Sequence, residues 1–421
     1  LPRRNPTHPE VTMARKRSRT PALGPDDPGS GPSREWGWHG HFPRGSRLAG
    51  LAATALSAGA ADASATHDGP RRRHGHAPRL SFRRDGSFKI VQLNDTQDDE
   101  TTDARTIELV TKVIAQEEPD LVVFVGDNIN GGPDTGLQTK QALNNVIAPV
   151  EAAGIPWAAQ FGNHDEDSTS KTGMDESDML EFFQRYPHNV NPDGARRITG
   201  TGNAVVPVRG RDGRTAFNVW LLDSGRYAPD TIAGQDFAGY PDWDWLRADQ
   251  VEWYLETSRQ AERAAGRIVP GVMFIHIPLW EHRFMWFASV DSRTEADHAR
   301  ARVKHQIVGE RNEDECPGPF NSGMFSAILH RGDVTGVYCG HDHVNTYTGS
   351  YYGVHLGYGP GSGFGTYGLG GVENHRLRGS RVFEVREDGS WTTRLVFARD
   401  LGIDLTNVRK PTTPAPLPRW A

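Results

Sequence analysis

Apolar and polar positions fall into ordered patterns from Ser87 onward, whereas the first 80 residues show little periodicity and many breakers. Lys89-Ile-Val-Gln-Leu93 is a short β-rich run that ends in polar Asn94-Asp95-Thr96-Gln97. Ile107, Val110, Val113 and Ile114 repeat at helical spacing, and Pro119 stops that helix. Leu121-Val-Val-Phe-Val125 is apolar throughout, the pattern of a strand buried on both faces, and it ends in Gly126-Asp127-Asn128. A second helical stretch around 143–153 leads to a strand over 155–161, which ends in Gly162-Asn163-His164-Asp165. Residues 271–275 run into His276-Ile277-Pro278, and 334–339 into Gly340-His341-Asp342-His343. Residues 381–385 and 391–397, joined around Glu387-Asp388-Gly389, read as a closing hairpin. Strands interleaved with helices predict an α/β (α+β) fold. In open sheets of that class, sites form beyond the carboxyl ends of strands, so five strand ends place five sets of polar side chains on one rim.

Composition divides the chain. The formal net charge of -6 averages +9 over residues 1–84 and -15 over the remainder. A basic tail therefore precedes an acidic body of one large domain, 85–400, with a loose Pro-rich end at 401–421. Within the tail, Arg44 and Arg47 precede an apolar run over 48–61 that leads to Ala63-Ser64-Ala65. That order reads as an export signal over about 44–65, cut after Ala65, and predicts a secreted or cell-envelope protein. The run is too short for stable membrane insertion. The acidic body excludes a nucleic-acid duplex as partner, since duplex binding needs clustered Lys and Arg. Cys316 and Cys339 are too few for a disulfide scaffold or a zinc ribbon. The Gly-rich segment 353–371 lacks GxxxxGK[ST] and is no P-loop.

The strand ends carry the candidate chemistry. Asp, Asn and His without a thiolate suit borderline-to-hard divalent metals such as Mn, Fe, Zn or Mg. Asp95, Gln97, Asp127, Asn163, His276, His341 and His343 are too many ligands for one ion. Two ions about 3.5–4 Å apart, sharing a carboxylate, use that number and clamp an in-line displacement at phosphorus. They also replace the repulsive field of an acidic body with a local positive one. Gln97 reads equally as a ligand or as a solvated loop residue. Asp342, between two inward histidines, reads as a supporting residue. Tyr227, Phe237, Tyr240, Trp243, Trp245, Trp280, Phe284 and Trp286 fall in predicted loops, where packing is the first reading and a stacking wall for a leaving group the second.

The ordered blocks NDTQ, GDN, GNHD, HIP and GHDH resemble the calcineurin-like metallophosphoesterase superfamily. GDNI, Asn321-Ser322-Gly323-Met324-Phe325 and CGHDHVN narrow the resemblance to its compact branch related to purple acid phosphatases, over about 87–398. The resemblance implies a four-layer αββα sandwich of two mixed sheets flanked by helices. It implies one metal held by Asp95, Gln97, bridging Asp127 and His343, and another by Asp127, Asn163, His276 and His341. Metal-bound hydroxide would attack a small-molecule phosphate monoester. His164 would contact the phosphoryl oxygen or protonate the leaving alkoxide, Asp165 would hold the His164 tautomer, and Asn163 would also face substrate. Two departures stand out: Gln97 replaces a usual His, and Asn130 stands where coloured members carry a Tyr ligand. A colourless enzyme with a more exchangeable metal pair is expected. A phosphodiesterase and a non-catalytic binding protein on the same fold are the alternatives.

Overall fold

The computed structural model describes residues 78–239, 243–288 and 294–421. The expected export signal at 44–65 and Tyr240 lie outside them.

The first half comprises β1 (Ser87–Leu93), α1 (Ala104–Glu117), β2 (Leu121–Val125), α2 (Gly136–Ala152), β3 (Trp157–Gln160), α3 (Thr169–Thr172) and α4 (Glu176–Gln184). A hairpin of β4 (Ala204–Arg209) and β5 (Thr215–Leu221) follows, then a minimal one of β6 (Thr231–Ile232) and β7 (Gln235–Asp236). Next come α5 (Ala248–Ala265), β8 (Gly271–Phe274), α6 (Trp280–Phe287), α7 (Glu295–Lys304), α8 (Met324–Arg331) and β9 (Val334–Cys339). The chain closes with β10 (Thr348–Tyr351), β11 (Val354–Tyr358), β12 (Gly379–Arg386) and β13 (Trp391–Phe397).

The strands form two large sheets, ordered β13-β12-β1-β2-β3 and β10-β11-β9-β8-β5-β4. In the first, β1, β2 and β3 are parallel, and β12 and β13 close one side antiparallel. In the second, β5, β8, β9 and β11 are parallel, with antiparallel β4 and β10 at the edges.

Alternation along the strands builds the layers. Val122 and Phe124 of β2 join Val110 and Val113 of α1 and Leu143 and Val146 of α2 in one apolar cluster. The intervening Leu121, Val123 and Val125 face Phe217, Val219, Val272 and Phe274 of the second sheet in another. Met273 and Val337 turn the other way, onto Tyr254 of α5 and Ile328 of α8. Three apolar interlayers make four layers, and β2 is apolar throughout because both of its faces are covered. Burying a side chain such as Phe124 stabilises this arrangement by roughly 1.5–3 kcal/mol. The two-sheet sandwich follows the expected architecture, with the expected strand at 155–161 shorter, at Trp157–Gln160.

Three expectations need correction. The body begins a few residues before 85, because Leu80 and Phe82 are buried and Ser81 bridges Arg209. The Pro-rich end is not loose. Gln141 and Asn144 of α2 donate to the Ala415 carbonyl, and Trp420 packs edge-on against Tyr186 at 4.9 Å. Its prolines suit an extended strap whose carbonyls are satisfied by helix side chains. Trp280, Phe284 and Trp286 are not loop residues but lie on α6, where Trp286 stacks on His298 at 3.7 Å.

Candidate metal centre

The parallel strands aim their carboxyl ends at one rim, and the side chains singled out in the sequence gather there. Asp95 follows β1, Asp127 follows β2, Asn163 follows β3, His276 follows β8, and His341 and His343 follow β9. All six are buried, with no more than 6% of their surface exposed. The backbone bends sharply to present them. Asp95 (φ 50°), Gln97 (φ 26°), Asp127 (φ 50°) and His341 (φ 72°) occupy left-handed conformations, four of the ten such non-glycine residues among those described. Such conformations cost free energy and persist where the surroundings dictate them. The glycines of GDN and GNHD clear the space: a Cβ on Gly126 would strike His276, and one on Gly162 would strike Asp127 and His276.

Two features mark the cluster as a cation site. Asp95, Asp127 and His343 offer ligand atoms that lie within 4.8 Å of one another. Beside them, Asp127 Oδ2, Asn163 Oδ1, His276 Nε2 and His341 Nε2 are buried without a hydrogen-bond partner among the described residues. Buried polar atoms are normally paired, and four orphans on one rim ask for a group that accepts several lone pairs at once. His276 Nε2 lies 3.3 Å from Asp127 Oδ2 and 3.9 Å from Asp95 Oδ1. The orphaned acceptors and the carboxylates fit divalent cations.

The other ring nitrogens are tethered. His276 Nδ1 is 2.8 Å from the Val125 carbonyl and His343 Nδ1 is 3.3 Å from that of Tyr367, so each Nε2 is presented to the cluster. Asn94 donates to Asp95 Oδ2 at 2.5 Å, the His341 amide to Asp95 Oδ1 at 3.1 Å, and the His164 amide to Asp127 Oδ1 at 2.8 Å. Burial pushes the His276 imidazole down, but the Asp127 and Asp95 carboxylates outweigh it and raise its pKa to about 10. The cluster thus demands positive charge, from a proton if no cation serves.

Gln97 is buried, and its carbonyl accepts from the Thr366 hydroxyl at 2.7 Å. Asn130 uses its Oδ1 on the Gly132 amide at 2.8 Å.

His164 stands at the mouth of the site, with a side chain 32% exposed. The expected partnership with Asp165 does not occur. Asp165 is buried and accepts from the backbone amides of Gly162 (2.7 Å), Asn128 (2.9 Å) and Ile129 (3.2 Å), so it locks two strand-end loops together. Burial, reinforced by the Asp127 charge, raises its carboxyl to about 7. Asp167 holds the His164 ring instead, with Oδ2 2.5 Å from Nδ1. Arg226 and Tyr227 each reach Asp167 Oδ1 at 3.0 Å. Burial opposes the charge on His164, while the Asp167 hydrogen bond and Asp127 favour it, and its pKa is raised. Sequence order alone does not distinguish the carboxylate at i+1 from the one at i+3. The turn in which the Asp167 amide donates to the His164 carbonyl (3.1 Å) brings the later carboxylate over the ring.

A family model described as calcineurin-like phosphoesterase matches residues 88–345. "Probable inactive purple acid phosphatase 14" of Arabidopsis thaliana is 34% identical over 322 residues, covering 69% of this chain and 74% of that protein. "Phosphatase DCR2" of Saccharomyces cerevisiae is 30% identical over 296 residues, covering 64% of this chain and 46% of that protein. Among solved structures, a dimetal phosphatase from Danio rerio aligns over 73% of this chain and 98% of its own, with 14% identity and a TM-score of 0.40.

Proposed function

From the premise that the chain belongs to the calcineurin-like phosphoesterase family, we propose that it hydrolyses phosphate monoesters with two divalent cations. The observation that carries this reading is the set of partnerless buried atoms on Asp127, Asn163, His276 and His341 beside the Asp95–Asp127–His343 group. Asp95, Asp127 and His343, with Gln97 at their side, would hold one cation; Asp127, Asn163, His276 and His341 would hold the other. When bound, such a pair acidifies a water and neutralises the charge of the phosphoryl group.

The chain's own residues do the rest. Val125 and Tyr367 fix the ring orientations of His276 and His343 through their carbonyls. The His164 amide and Asn94 fix the carboxylates of Asp127 and Asp95. His164, held by Asp167 and biased toward its protonated form, contacts the phosphoryl oxygen or gives its proton to the departing alkoxide. Arg226 restrains Asp167 and, through its Nε at 3.2 Å, the Asn163 carbonyl.

A non-catalytic binding protein is the second reading. The Arabidopsis relative's name and the Thr366-bound carbonyl of Gln97 favour it. Metal analysis after chelator treatment and reconstitution, followed by hydrolysis of a nitrophenyl monoester and of the bis-ester, separates the readings. Near two ions per chain with monoester turnover is expected. Turnover of the bis-ester in preference would replace phosphatase by phosphodiesterase. Two ions without turnover would leave the binding protein.

A further inference from the structure

Next to the metal-facing cluster lies a groove of about 310 Å³ lined by Tyr227, Ile232, Phe237, Trp243 and Phe320, with Asp230 as its one charged residue among those described. Two of these rings also belong to the edge of the site. Trp243 packs edge-on against His341, with ring centres 4.5 Å apart. Tyr227 stands edge-on to His164 at 6.5 Å, gives its hydroxyl to Asp167, and lies 5.9 Å from Trp243 at a 32° tilt. The groove is thus continuous with the position where a phosphoryl group would meet His164. Tyr227 and Phe320 leave 38% and 45% of their surface exposed, so aromatic area is still available for contact.

Resting on the phosphatase reading, we infer that this groove receives the leaving alcohol and that the preferred substrates are monoesters of uncharged, ring-bearing alcohols. A phosphoryl group seated at the cluster, with its ester oxygen toward His164, projects its alcohol past Tyr227. A planar ring there gains buried area and offset or edge contacts with Tyr227 and Trp243. A polyanionic alcohol finds no Lys or Arg among the described lining residues and meets Asp230, while the Arg226 guanidinium, 5.4 Å from the Tyr227 ring centre, is already paired with Glu166 and Asp167. Hydrolysis gives inorganic phosphate and the free alcohol, with water adding across the P–O bond and the alkoxide taking a proton.

The test compares 2-phenylethyl phosphate with propyl phosphate on the metal-reconstituted protein. Their leaving groups are similarly acidic, so the ratio of kcat/KM reports the groove and not the chemistry. A ratio of about tenfold or more is expected. Phe320 packs edge-on against Trp245, with ring centres 4.9 Å apart. Phe320→Ala should therefore lower the ratio about threefold with metal content unchanged. A wild-type ratio near one, or the same ratio in Phe320→Ala, overturns the groove assignment while the phosphatase reading stands. Hydrolysis of neither ester removes both. Saturation-transfer NMR with 2-phenylethanol gives a readout independent of turnover. Transfer to the ring protons that weakens in Phe320→Ala is expected, and no transfer to wild type overturns the inference.

Discussion

Two buried charged clusters in this molecule solve the same electrostatic problem in opposite ways. At the start of α1, Asp103 and Arg105 are 0% and 2% exposed. Arg105 Nε and Nη2 reach the two Asp103 oxygens at 2.9 and 2.8 Å, while the amides of Arg105 and Lys410 fill the remaining lone pairs. On the rim, Asp127 and His276 are equally buried, but Asp127 Oδ2 and His276 Nε2 only face each other at 3.3 Å, and neither makes a well-formed hydrogen bond among the described residues. The fold completes the first cluster itself. It leaves the second incomplete, at a free-energy cost that metal binding would offset. Burial of charge is therefore not the mark of the site; burial of unanswered charge is.

Breaking each cluster should give opposite phenotypes. Asp127→Asn should reduce metal content and lower kcat/KM on the order of a thousandfold or more, since several kcal/mol of charge stabilisation depends on the cations. In chelator its melting temperature should change little, because Asn keeps the Oδ1 that accepts from the His164 amide and His276 can release the proton that the Asp127 charge favours. A clear fall in stability without metal would make Asp127 a structural residue like Asp103. Asp103→Ala should instead destabilise by about 3–5 kcal/mol in urea unfolding, because Arg105 stays buried without its partner. The activity of the folded fraction should survive.

The pH dependence of stability sharpens the contrast. Burial alone would raise the Asp103 carboxyl, but hydrogen bonds from Arg105 outweigh it and hold the group below its usual range. A lowered folded pKa contributes stability above the ordinary carboxylate range, and that stability disappears as pH falls through the folded value. Acid unfolding of Asp103→Ala should accordingly show a flatter dependence below about pH 4 than the parent. An unchanged acid limb would mean that the pair contributes nothing net.

Much of the metal rim was legible because each strand announces its own end: an apolar run, a glycine, then a ligand type. Parallel pairing of β1 with β2 and β2 with β3 brings the first three sets together, as the open-sheet rule requires. Partnerships set by turn geometry were not legible. Asp165 and Asp167 are both near His164 in sequence, and only the turn decides which carboxylate faces the ring. The β4–β5 hairpin and the docked C-terminal strap were missed for a related reason. Their stability comes from contacts distant in sequence, such as Arg209 with Leu80 and Ala415 with Gln141, and local pattern does not carry these. Asp167→Ala tests the reassignment directly. Loss of its hold on the ring should cut kcat about tenfold with metal content intact. An effect confined to KM would place His164 in binding alone.

Gln97 offers the smallest effect, and it decides whether the rim is fully assigned. Its carbonyl already accepts from Thr366, whose hydroxyl also lies 3.4 Å from His343 Nδ1. A carbonyl has a second lone pair, so this hydrogen bond leaves ligation open, but a neutral amide is a weaker donor than imidazole toward Fe or Zn. Gln97→His should therefore tighten the cation shared by Asp95, Asp127 and His343, roughly tenfold in a competition titration with a chelating dye. Affinity at the Asn163–His276–His341 side should stay fixed. If both affinities move together, the two cations are coupled through Asp127 more strongly than their separate ligand sets suggest. If neither moves, Gln97 belongs with the supporting groups, and its partner Thr366 serves to steady His343.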